Sequence, residues 1–233
     1  MKRKKDIISI FSGAMGLDLG LEKAGFVTRV CVETNKTALK TIEANKPKLP
    51  LIDRPIQDVD TCEILQKAGL RVGEATIVTG GPCCQSFSTA GKRGSISDAR
   101  GSLFEDFCRV VKETQPRFFV MENVKGLLSA AIKHRPLKLR GPGNPPLLPE
   151  EELGSAFKHI LNELKRLNYY VIYGLLNAAD YGTPQVRHRV IIIGSRDGEA
   201  IELTRPSHSK EGTNGYQSRT TLLSTIKGIN NKE

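Results

Sequence analysis

Residues 6–20 read DIISIFSGAMGLDLG. Asp6–Phe11 is a short apolar run bounded by a glycine-containing turn, the pattern of a buried strand. The turn, Phe11-Ser12-Gly13-Ala14-Met15-Gly16, follows that strand directly and opens a helix. Its glycines let a backbone approach a ligand and leave the helix N-terminus free to face it. A buried strand, a Gly-rich turn and a helix form the first unit of an α/β sheet.

The same alternation continues along the chain. Val27–Val32 (VTRVCV) reads as a second strand, and Ala75–Thr79, Phe118–Met121, Tyr169–Leu176 and Arg189–Ile193 as further ones. Topology calls for one more strand near Leu51–Ile56, where Pro50 and Pro55 bracket a weak signal. Leu153, Phe157, Ile160, Leu161, Leu164 and Leu167 recur at helical spacing. Continuously apolar strands alternating with helices imply a doubly wound, mostly parallel sheet covered on both faces.

The chain has 233 residues, 39% of them hydrophobic and 26% charged. That suits one sizeable domain and excludes global disorder. No apolar run is long enough to span a membrane. The basic N-terminus, MKRKK, begins like a signal peptide, but the apolar stretch after it is short and broken by Ser9 and Ser12. A cytoplasmic protein is expected. The net charge of +10 favours a polyanionic partner, nucleic acid first, although a merely soluble basic protein fits it equally well. Five cysteines without CxxC or Cys/His ligand spacing argue against a disulfide framework and a zinc site, so no metal is expected. From Gln85 to Arg140 there are eleven Lys/Arg and five Asp/Glu, so +6 of the net charge lies there. Two loops fall in this region: the Gly-rich Gln85–Gly101, and Lys133–Pro149 with Lys133, Arg135, Lys138 and Arg140. Both are expected to face phosphates. The segment from Asn214 reads as a polar tail with a frayed end.

Four motifs carry chemistry. Glu33 follows the second strand, 20 residues after Gly13, where an acid can accept both hydroxyls of a ribose. The fingerprint has only two of three glycines, which counts against NAD. Gly80-Gly81-Pro82-Cys83-Cys84-Gln85 places cysteine at a strand end beside glycines, as a nucleophile would be, whereas Cys31, Cys62 and Cys108 fit buried structural roles. Met121-Glu122-Asn123 puts a carboxylate after an apolar strand, where desolvation favours the protonated form of an acid. Finally, in Gln185-Val186-Arg187-His188-Arg189 the alternate residues Gln185, Arg187 and Arg189 would share one face of a strand. Two guanidiniums there need a carboxylate, a carbonyl or phosphates.

Taken in order, IFSGAMGLDLGLEKAGF, VCVETN, GGPCCQSFSTAGKR, VMENVKGLL and LNAADYGTPQVRHRVIIIGSR closely resemble the DNA (cytosine-5) methyltransferase family over about residues 6–208. The resemblance implies a Rossmann-like fold that binds S-adenosyl-L-methionine at the carboxyl ends of its strands. It places Phe11, Gly13, Gly16 and Leu17 at the methionine and adenine, Glu33 at the ribose, Asp58 and Val59 at the adenine, and Pro82 beside the cofactor. It makes Cys84 the nucleophile, Glu122 the acid, and Arg187 and Arg189 the arginines of the eighth motif. Gln85, Ser88, Lys92 and Arg93 fall on the loop expected to close over double-stranded DNA.

There are departures. Cys83 replaces the second proline before the nucleophile, and Thr34 stands where an aromatic often stacks on adenine. The resemblance implies a catalytic domain at residues 1–213 and a tail at 214–233, with no target-recognition domain. The chain is therefore expected to be the catalytic subunit of a split restriction-modification methyltransferase, with recognition on a second subunit, or else a truncated product. An RNA-directed enzyme and a silent DNA-binding homologue are the alternatives. The ordinary Phe87-Ser88 pair after the nucleophile favours DNA over the first, and the intact Cys84, Glu122 and Arg189 argue against the second.

Overall fold

The computed structural model describes residues 5–82, 102–213 and 215–221. In chain order its elements are β1 (Asp6–Ile10), α1 (Gly16–Lys23), β2 (Val27–Val32), α2 (Lys36–Asn45), β3 (Leu51–Ile52), α3 (Thr61–Ala68) and β4 (Ile77–Gly80). There follow α4 (Ser102–Thr114), β5 (Phe118–Val124), α5 (Ser155–Arg166), β6 (Tyr170–Asn177), β7 (His188–Ser195), β8 (His208–Ser209) and β9 (Gln217–Ser218). The main sheet has the order β3-β2-β1-β4-β5-β7-β6. Its first five strands are parallel, and β7 runs antiparallel between β5 and β6. The chain winds outward from β1 to β3, then returns to β4 on the other side of β1. Ligands of such sheets bind at this switch point, beyond the carboxyl ends of the strands.

Alternation across the strands divides the core between the two faces. Val30 and Val32 of β2 join Phe119 and Met121 of β5 and Ile192 of β7 in the larger cluster. That cluster is closed by Ile64 of α3, Phe107 of α4 and Ile160 and Leu164 of α5. Cys31, between the two valines, points the other way and packs with Met15 and Ile42. Helices therefore cover both faces of the parallel half, as its sequence implies. The β7–β6 end differs. There β5 and β7 alternate buried with half-buried residues, and the edge strand β6 exposes Tyr170, Tyr173 and Leu175.

Local chemistry sets the ends of the helices. The Asn35 side chain accepts from Thr37 N and Ala38 N and starts α2. Asp60 does the same for α3 through Cys62 N, and Gly69 ends that helix at φ +65°. The weak third strand is two residues long. Part of the expected tail is folded: β9 pairs with β8, and Arg219 forms an ion pair with Asp180.

Candidate active site

At the end of β2 the Glu33 carboxylate is fixed by the backbone. One oxygen accepts from Gly13 N at 2.6 Å, and the other from Thr34 N and Asn35 N at 2.8 Å each. Three of roughly four lone-pair directions are thereby used, which orients the group and leaves room to accept a hydroxyl. It lines a cavity of about 430 Å³ together with Phe11, Gly13 and Thr34. Arg54–Gln57, Gly81 and Leu103 also line it. Gly13 lies at φ +52° with no atom within 4 Å of where a Cβ would project. This open backbone, an apolar wall and an oriented acid suit a nucleoside with free ribose hydroxyls, so the residues present fit an adenosine-containing cofactor.

The other expected cofactor residues fall around this cavity rather than on it. Gly16 and Leu17 are the first residues of α1, outside its lining. Asp58 is exposed at the end of a 3-10 turn (Ile56–Asp58), and Val59 is buried in the core. Pro82 is buried, and its carbonyl accepts from the Asn123 side chain at 3.1 Å.

Glu122 lies in β5, one residue past the partner of Gly80, the last residue of β4. It is partly desolvated, with 32% of its side chain exposed. One oxygen faces Arg189 Nε in an ion pair. That Nε is buried and carries no aligned hydrogen bond, so the contact is an ion pair and not a directed N–H···O bond. Arg189 also donates from Nη1 to the His188 carbonyl at 2.9 Å. The other Glu122 oxygen lies 3.2 Å from the point where a Gly81 Cβ would project. The chain entering the Cys83-Cys84 segment therefore passes against this carboxylate.

Arg187 and Gln185 do not share a strand face with Arg189, because β7 begins at His188. The Asn177 side chain accepts from Arg187 N at 3.1 Å and holds that residue in the preceding turn, with its side chain exposed. Cys84, Gln85, Ser88, Lys92 and Arg93 lie outside the described residues, as does Cys83. Among the described cysteines, burial pushes the Cys31 and Cys108 thiols up to about 12, which suits inert packing roles. Cys62, expected to be buried, is exposed beside its cap Asp60.

The proline-rich segment is less free to meet phosphate than its composition suggests. Lys133 pairs with Glu150, and Arg135 with Glu151 and the Pro145 carbonyl. Two groups that the sequence pattern does not mark also support the site. Asn123 anchors Pro82, and buried Asp18 of α1 accepts from Ser9 of β1 and Thr79 of β4 at 2.9 Å each. No group of three or more His, Cys, Asp or Glu able to hold a metal occurs among the described residues. No described helix is long and apolar enough to cross a membrane.

The model of the C-5 cytosine-specific DNA methylase family matches residues 5–232. The Type II methyltransferase M.AquIA of Picosynechococcus is 42% identical over 205 residues, covering 88% of this chain and 77% of that one. M.SacI of Streptomyces achromogenes is 35% identical over 228 residues, covering 91% and 53%, and M1.HphI of Haemophilus parahaemolyticus is 38% identical over 210, covering 89% and 50%. The chain thus spans about three quarters of the first relative and about half of the other two. A solved structure described as a DNA modification methyltransferase encoded within an E. coli prophage superposes with a TM-score of 0.64 at 25% identity, covering 93% of this chain and 52% of that one. Spodoptera frugiperda DNMT2, 20% identical, shares the fold with a TM-score of 0.59 over 87% of this chain and 53% of its own.

Proposed function

This chain belongs to the C-5 cytosine-specific DNA methylase family, and on that premise we propose that it methylates C5 of a flipped cytosine in DNA through a covalent adduct of Cys84. The observation that carries the reading is the pairing of Glu122 with Arg189 against Gly81, next to the cavity that Glu33 borders. An acid, a cation and the approach to a cysteine thereby meet beside a nucleoside-shaped pocket.

Phe11, Gly13 and Glu33 would hold S-adenosyl-L-methionine, which supplies a methyl group on an electrophilic sulfonium centre. C5 of free cytosine is a poor nucleophile. Addition of the Cys84 thiolate to C6 breaks the C5–C6 double bond and makes C5 the nucleophilic end of an enamine. After methylation, water takes the C5 proton, and the C–H electron pair re-forms the C5–C6 double bond and expels the thiolate, while N3 returns its proton to Glu122. Glu122 would hold N3 and the exocyclic amine, its proton neutralising charge that develops on addition. Arg189 would brace Glu122 and meet the base's O2. The base must leave the duplex to be reached, at a cost of roughly a few kcal/mol.

Residues 1–213 are assigned as the catalytic domain of a cytoplasmic restriction-modification enzyme, with the base-reading contacts on a second polypeptide. Tritiated methyl transfer to duplex DNA, with transfer RNA as the competing substrate, tests the reading. The chain alone is expected to bind DNA weakly with steep salt dependence and to transfer slowly. The product of an adjacent gene should restore rate and sequence choice. Sequence-specific turnover by the chain alone would remove the second polypeptide from the proposal, and preference for transfer RNA would overturn the DNA assignment.

A further inference from the structure

The cavity wall Arg54–Gln57 is an irregular piece of chain around Pro55, anchored in the core by Ile56. Its 3-10 turn holds itself by two backbone bonds, Asp58 N to Pro55 O at 2.9 Å and Val59 N to Ile56 O at 3.2 Å. Side chains on two helices clamp it from outside: Glu63 of α3 pairs with Arg54, and Arg109 of α4 spans the bend. Arg109 of α4 donates from Nη2 to the Ile56 carbonyl at 2.8 Å and from Nη1 to the Thr61 hydroxyl at 3.1 Å. The two acceptors lie on either side of the bend that joins the cavity wall to α3. Asp106, one turn back on α4, accepts from Nε at 3.3 Å and Nη2 at 3.1 Å and fixes the plane of the guanidinium. Glu113 lies farther off, at 3.7 Å from Nη1.

A guanidinium presents its donors in a rigid fork, whereas an ammonium is a single point of charge. Only the fork reaches the carbonyl, the hydroxyl and the carboxylate together. We infer that Arg109 is a positioning residue for cofactor binding, setting the Arg54–Gln57 wall of the pocket from α4 without touching the ligand. The inference rests on the cavity being the S-adenosyl-L-methionine site, as proposed above.

The test measures Kd for S-adenosyl-L-methionine and for S-adenosyl-L-homocysteine on the full chain by titration calorimetry, alongside Tm. Both ligands share the adenosine half, so Arg109→Lys and Arg109→Met should weaken both by about five- to tenfold, the loss of one oriented hydrogen bond. Glu113→Gln, which removes only the distant carboxylate, should stay within about twofold. With DNA and the restoring partner present, KM for the cofactor should rise while kcat at saturation holds. A lower Tm with unchanged Kd for both ligands would overturn the inference and leave Arg109 a purely structural residue. If the Arg109 variants do not fold, Asp106→Asn keeps the guanidinium but loosens its plane. It should weaken both ligands about two- to threefold, and unchanged affinity there would also overturn the inference. A wild-type chain that binds neither ligand would instead sink the assignment of the cavity itself.

Discussion

Glu33 and Glu122 stand at the same level of the sheet, each one residue past the last parallel pairing of its strand, yet the protein holds them by opposite means. Among the described residues, Glu33 takes three backbone N–H groups and no cation, whereas Glu122 faces one cation and lies half exposed. Backbone donors belong to the fold and do not move, so the Glu33 side is organised before any ligand arrives. A side-chain pair can be taken apart by an incoming base, so the Glu122 side is built to exchange partners. The first arrangement serves binding, and the second serves a step in which charge moves.

The largest effect should fall on the side that exchanges partners. Cys84→Ser should lower methyl transfer on the order of 10⁴-fold or more, as loss of a nucleophile does elsewhere. Cys83→Ala should keep much of it. Trapping with DNA that contains 5-fluorocytosine, followed by peptide mapping, checks the choice; an adduct on Cys83 would reverse it.

Next come the two acids themselves, whose defects should be different in kind. Glu122→Gln should slow the chemical step by about 10²- to 10⁴-fold with little change in cofactor Kd. It should cost little stability, since a half-exposed ion pair contributes roughly 0–1 kcal/mol. Arg189→Ala should match it, and the double variant should be no worse than either, because the pair acts as a unit. Glu33→Gln must turn an amide donor toward backbone N–H groups. It should weaken cofactor binding about tenfold or more and lower Tm slightly, since at least one oriented backbone hydrogen bond is lost at roughly 0.5–1.5 kcal/mol. Equal losses of rate and affinity in both variants would erase the distinction.

A smaller probe uses the glycine beside Glu122. A Cβ at Gly81 would sit 3.2 Å from the second Glu122 oxygen, so the carboxylate must give by a few tenths of an ångström. Gly81→Ala should swing it off Arg189 and lower the rate about tenfold, leaving cofactor Kd nearly unchanged. Single-turnover rates alongside calorimetry would separate the two.

The residues readable in advance are those whose signal is local. β1 and its turn announce themselves by an unbroken apolar run followed by glycines, and β2 matches its expected span, Val27–Val32. Glu33 is legible because the spacing from Gly13 is set by one strand-turn-helix unit, and the two do meet. What escaped depends on contacts between distant segments. The wall at Arg54–Gln57 has no periodicity and lies around Pro55. Its clamp, Arg109, is more than 50 residues from Ile56, and in sequence it looks like any helix-face cation. Of the basic run at 133–140, Lys133 and Arg135 find their partners Glu150 and Glu151 more than ten residues on, a pairing that composition does not encode. Arg187 left the strand because the Asn177 side chain captures its N–H, a bond that alternation of residue types does not encode.

The smallest expected effect concerns Asp18, which joins the two halves by tying α1 to β1 and to β4, the strand that leads into Gly81. Burial pushes its carboxyl above the ordinary value, and hydrogen bonds from Ser9 and Thr79 pull the other way without cancelling it. A group raised on folding contributes stability that is complete below its unfolded pKa and is lost as pH rises through its folded one. The wild-type protein should therefore gain stability relative to Asp18→Asn as pH falls toward the ordinary carboxylate value of 3.8. At neutral pH the two should lie within about 1 kcal/mol. The amide oxygen can take the Thr79 proton while its NH₂ donates to Ser9, whose own proton can turn to Ser12 Oγ, 2.8 Å away. Tm measured for both proteins between pH 7 and 4 gives the difference directly, since the acid titration of every other group appears in both. A difference that stays flat would mean that Asp18 titrates as an exposed acid does, and that α1 is not held to the sheet by a buried carboxyl.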